Sequence, residues 1–107
     1  MDNYNAGTIW EVKSLNENEE YYSGMSCGTS TILIIEILDN NTFKYLKVSR
    51  IPRNNRTYCK LKRNNKYIYI QNNRIMTGST LALNRYIFSI NNHNMDKIIN
   101  SIQNLYK

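Results

Sequence analysis

Apolar and polar residues alternate over most of this chain, and the period changes only near its end. From Gly7 to Lys13 the run Ile9, Trp10, Glu11, Val12 predicts a first strand, with Trp10 as a core residue. Ser14 to Ser30 has no sustained apolar period and holds Glu17, Glu19, Glu20, Gly24 and Gly28, which reads as a long loop. Loops of that length are often functional; the Tyr21-Tyr22 pair within it either stacks on a ligand or covers the end of the sheet. Thr31 to Leu38 is β-branched and nearly continuous, as expected of a strand buried on both faces or against a second copy. Asp39 to Thr42 reads as a turn, Phe43 to Ile51 as a strand stopped by Pro52, and Arg53 to Arg56 as another turn. A short strand over Thr57 to Lys62, a hairpin turn over Arg63 to Lys66 and a further strand over Tyr67 to Ile70 follow. Asn72 to Leu83, with Gly78, reads as a bend and a short helix or turn. Arg85 to Ile90 is expected as the last strand, with Tyr86, Phe88 and Ile90 on one side and Ile87 on the other.

From Asn94 the spacing becomes helical. Met95, Ile98, Ile99, Ile102 and Leu105 share one face, with Asn94 as the expected N-cap and Asp96 in the first turn. Many short strands and one terminal amphipathic helix point to a mainly β protein, a small, strongly bent sheet or barrel with a C-terminal α-helix. The length of 107 residues fits a single domain over the whole chain.

Charge changes the picture more than composition does. The net charge of +6 hides an acidic first part and a basic middle. Met1 to Asp39 holds seven acids against Lys13, whereas Asn40 to Asn94 holds eleven Lys and Arg and no acid. A split of this kind speaks about partners, here a polyanion such as single-stranded RNA. The alternative is a solvated basic face with no dedicated ligand. The longest apolar run, Ile32 to Ile37, is broken by Glu36 and far too short to span a membrane. Met1-Asp-Asn-Tyr-Asn5 is acidic where a secretory leader would be basic, so a cytoplasmic protein without a membrane role is expected.

Cys27 and Cys59 lie 32 residues apart with a single His, His93, in the chain, so zinc-type spacing is absent and no metal or other cofactor is expected. Both cysteines read as free thiols in a reducing compartment, with a disulfide as the alternative. Arg53, Arg56, Lys62 and Arg63 are expected in turns, where mobile cations suit phosphate contacts; Lys60 belongs to the same basic stretch. Tyr45, Tyr58, Tyr67 and Tyr69 interleave with these cations, and exposed members would stack on unpaired bases while the others fill the core. His93 is a general base by residue type alone.

The order of elements and several residues resemble the MazF/PemK family of messenger-RNA endoribonuclease toxins. Gly7-Thr-Ile-Trp-Glu-Val12 is similar to the family's opening strand, and Thr31-Ile-Leu-Ile-Ile35 to its second. Tyr67 to Leu81 can be laid without gaps on the family's next strand and the segment after it, placing Arg74 and Leu81 on matching positions. Met95 to Ile102 is similar to the closing helix. The resemblance implies an SH3-like barrel, a homodimer, cleavage of single-stranded RNA without a metal, and a cognate antitoxin that occludes the RNA groove. It also implies that Arg74 lies near that groove, although a carboxylate across the dimer is an equal alternative for it. The RNA's own 2′-OH attacks phosphorus in such chemistry, so the protein need only move protons and stabilise the phosphorane.

One departure touches the chemistry itself. The family's catalytic Arg aligns with Ser30 and its Pro with Thr31, neither of which supplies a positive charge. Its Thr falls near Ser49, Arg50 or Ile51, and Ser49 and Arg50 become the candidate catalytic pair, Ser49 as hydroxyl and Arg50 as a relocated guanidinium. Strand alternation sets them on opposite faces unless the chain bends beside Pro52. The candidate RNA-binding residues are Arg53, Arg56, Lys60, Lys62, Arg63 and Arg74. An inactive nucleic-acid binder, or a protein inhibitor built on the same barrel, is the competing reading.

Overall fold

The computed structural model describes residues 4–13, 30–52 and 57–105. The expectations for the long loop, for Tyr21, Tyr22 and Cys27, and for the turn that carries Arg53 and Arg56 lie outside the described residues. Seven strands and one helix are described: β1 (Thr8–Val12), β2 (Ser30–Ile37), β3 (Thr42–Ser49), β4 (Tyr58–Arg63), β5 (Lys66–Gln71), β6 (Met76–Ser79), β7 (Leu83–Ser89) and α1 (Asn92–Leu105). The strands form one antiparallel sheet in the order β4-β5-β3-β2-β1-β7. β6 also pairs β3, along its first half, whereas β5 meets only Val48 and Ser49 at its end. The mainly β fold with a C-terminal helix is therefore as expected.

The sheet carries a core on each face because β2, its central strand, is apolar at nearly every position. Leu33 joins Ile9, Leu46, Leu61 and Ile70 beneath Ile98 and Ile102 of α1. Ile32 and Ile34 point the other way, onto Trp10, Val12, Phe43 and Tyr45. Trp10 is buried as expected, with its indole N–H donating to Thr8 Oγ1 at 2.9 Å. Cys59 is a free thiol in the helix-side core, and burial pushes its pKa up despite nearby Lys97. No helix among the described residues is long and apolar enough to cross a membrane.

Local chemistry sets the turns. Asp39 Oδ1 accepts from the backbone N–H groups of Asn41 and Thr42 at 2.7 and 2.9 Å, and those bonds hold its carboxyl below the usual range. Asn64 and Asn65 both take left-handed backbone angles, φ 50 and 67, the conformation a two-residue hairpin needs and Asn tolerates.

Four local expectations are corrected. Asn72 to Leu83 yields β6 and a 3-10 turn over Thr80–Ala82 rather than only a bend and turn. Met76-Thr-Gly-Ser79 lacks strand-like alternation, and its pairing depends on Gly78: a Cβ there would stand 3.0 Å from Tyr45 Cε1. In β7, two register shifts against β1 break the alternation. Tyr86 therefore packs edge-on to Trp10, while Ile87, Phe88 and Ile90 all join the helix-side core. The helix is capped by Asn91, whose Oδ1 accepts from Asn94 N–H at 2.8 Å, so α1 begins before Asn94 and Asp96 lies beyond its first turn. Finally, Lys62 and Arg63 belong to β4, not to the turn after it.

Candidate nucleic-acid interface

The β4–β5 hairpin gathers the cations. Cys59 and Leu61 face the core, so alternation turns Lys60 and Lys62 outward beside Tyr69 and Tyr67, their register partners on β5. The Lys60 ammonium lies 4.0 Å from the centroid of the Tyr67 ring, and Tyr67 remains 43% exposed. Tyr45 and Tyr69 are buried and Tyr58 is half-buried, so Tyr67 is the most open of the four interleaved tyrosines. Arg63 is stacked, not mobile: its guanidinium carbon sits 3.7 Å from the centroid of Phe88 on β7. That contact bridges the two end strands of the sheet, so the sheet curls until its ends meet.

Beside this bridge lies a groove of about 570 Å³. β3 ends at Ser49, and Lys66 to Ile68 run on past it with a strand on one side only. Arg50, Pro52, Arg63, Lys66, Tyr67 and Phe88 are among the residues that line the space so opened. The Ser49 hydroxyl accepts from Ile51 N–H at 3.1 Å and lies 3.2 Å from Ile51 O, fixing a bend. The bend frees Arg50 from strand alternation and turns it to the groove, while Ser49 does not line it.

The groove faces no carboxylate among the described residues. Glu11 pairs with Arg85 at 3.0 Å and Glu36 with Lys44 at 3.6 Å. Asp39 caps its turn, and Asp96 lines a separate depression of about 470 Å³ with His93 and Lys97. His93 thus does not line the groove. Arg74 is exposed between β5 and β6 and does not line the groove either, and Ser30 starts β2 opposite Val12. Among the described residues no group of His, Cys, Asp and Glu could hold a metal ion.

No protein-family model matches the chain, and no curated protein matches it. Among solved structures it is similar to an endoribonuclease in complex with its cognate antitoxin, from a mycobacterial species, with a TM-score of 0.68. The chain has the fold of that endoribonuclease. The superposition covers 94% of this chain and 91% of the other, so it takes in the sheet and helix together rather than one hairpin. At 13% identity the likeness lies in the backbone architecture.

Of the residues singled out from sequence, Arg50 and Arg63 come together in the groove, and Lys60 and Lys62 stand on the outer face of the hairpin beside it. Lys66, Ile87 and Phe88 are lining residues that sequence reasoning missed. Lys66 was detectable as the cation closing the Arg63-Asn-Asn-Lys66 turn. Ile87 and Phe88 carried no signal, because only the curling of the sheet brings them to β4.

Proposed function

We propose that this chain is the toxin of a toxin–antitoxin pair of the MazF/PemK kind, an endoribonuclease that cuts single-stranded RNA by attack of the 2′-OH on the adjacent phosphorus. The observation that carries this reading is the groove: three cations, an exposed aromatic ring and no carboxylate among the described residues share one concavity. Cations neutralise phosphates and an exposed ring stacks on a base, which together suit an unpaired strand. The fold neighbour, held with its cognate antitoxin, supports an antitoxin partner for this chain as well.

In this proposal Arg50 lies against the scissile phosphate and stabilises the charge that grows on the phosphorane. Ser49 fixes the bend that aims Arg50, and its hydroxyl reaches the RNA only by exchanging its bond to Ile51. Arg63, Lys66, Lys60 and Lys62 hold flanking phosphates, with Arg53, Arg56 and Arg74 extending the track. The protein works as a cytoplasmic homodimer and needs no metal, since the nucleophile belongs to the substrate. One observation favours a second reading, binding without cleavage: the Ser49 hydroxyl is already engaged by the main chain, and Ser30 brings no charge.

The test is incubation of the purified protein with a mixed single-stranded RNA in EDTA. Cutting is expected to persist in the chelator, and to vanish when the scissile nucleotide is 2′-deoxy. Cutting of the deoxy substrate would remove the proposed chemistry; retention of intact RNA would select the binding-only reading.

A further inference from the structure

The sheet curls without closing. Among the described residues β4 pairs only with β5 and β7 only with β1, so the two end strands face each other with no ladder between them. A second cavity, about 160 Å³, occupies this seam next to the groove. Leu61, Ile68, Phe88 and Ile90 give it apolar surface, Arg63 stands at its border with the groove, and Lys62, Asn91 and Asn94 are among the residues that give it at least as much polar surface. The stacked Arg63 and Phe88 line both spaces, so the seam adjoins the groove.

We infer that this seam cavity receives one unpaired nucleobase of the bound strand and that Asn94 reads its edge. The inference rests on the proposed RNA-binding function and adds to it a source of sequence preference. Apolar side chains suit the faces of a flat ring and polar ones its edge, and the size is far below that of the groove. The backbone N–H of Asn94 is held by Asn91, whereas its side-chain amide has no hydrogen-bond partner among the described residues. A carboxamide presents an acceptor beside two donors, the pattern that matches a base edge. Phosphates in the groove supply affinity without sequence information, so discrimination has to come from a pocket of this type. Asn94 is therefore a specificity-determining residue, not a catalytic one.

The experiment offers the full chain a single-stranded RNA pool randomised in sequence. The retained RNA, and the new ends wherever cutting occurs, are then sequenced for the wild type, Asn94→Ala and Asn94→Trp. The wild type is expected to prefer one base at one position. Asn94→Ala should weaken that preference on the order of tenfold, and Asn94→Trp, which fills the cavity, should erase it. Retention of the preferred RNA should fall along with the preference in both variants, while the sequence-independent, salt-sensitive retention that the groove cations supply should persist. Preference unchanged in both folded variants, or absent from a wild type that retains RNA, overturns the inference and leaves the proposed function standing. A wild type that retains no RNA overturns both together.

Discussion

Replacing Arg50 by alanine should lower the rate of RNA cleavage by about 10²–10³-fold, the usual effect of deleting one preorganised donor to a developing anion. The residue lies on the bend after β3, exposed and lining the groove. It makes no ion pair or hydrogen bond among the described residues, so the melting temperature should not move. Arg50→Lys keeps the charge but loses the planar fork, and should recover only part of the rate. Single-turnover cleavage beside a thermal melt separates these effects. A folded Arg50→Ala protein that cuts at the wild-type rate would pass the role to Arg63 or Lys66.

Ile98→Ala should cost about 2–5 kcal/mol of folding stability, the range for truncating a fully buried aliphatic side chain. Ile98 is wholly inaccessible and lies in the same cluster as Ile9, Leu33, Leu46, Cys59, Leu61 and Ile70. Together with Ile102 it is one of two fully packed residues holding α1 to the sheet. Urea titration measures the change, and the melting temperature should fall by roughly 10 °C or more. A loss below about 1 kcal/mol, typical of surface sites, would mean that the helix is not seated on the sheet as described.

The sequence displayed the architecture more clearly than the site. β2 announced itself because Ile32, Leu33 and Ile34 are all apolar, and a strand in the middle of a two-sided core needs that on both faces. α1 was visible in the spacing of Met95, Ile98, Ile99 and Ile102, although Asn91, Asn92 and Asn94 cluster where it begins and only geometry selects Asn91 as its cap. β6 was hidden, since Met76-Thr-Gly-Ser79 is held by a glycine that lets two aromatic rings approach rather than by its own propensity. The β7 pattern misled for a related reason: bulges reassign faces without leaving a mark on residue types. In the candidate site, the charge asymmetry and the departure at Ser30 were legible, and Arg50 followed from them. The Arg63–Phe88 contact and the seam beside it were not, because they join positions 25 residues apart through curvature that no local pattern encodes.

Three cations crowd the groove without a counter-charge among the described residues, and like charges gathered in a recess raise one another's free energy. Folding of the vacant protein works against that mutual repulsion, and an occupying polyanion relieves it. Occupancy and thermal endurance are then one linked quantity, as mass action requires of anything that binds only the native state. Adding a long inorganic polyphosphate should raise the melting temperature, and high salt should shrink the gain; a melt indifferent to polyphosphate would deny the coupling. A protein of this construction is sturdiest while its groove is filled, and an empty copy is the one most open to unfolding and degradation.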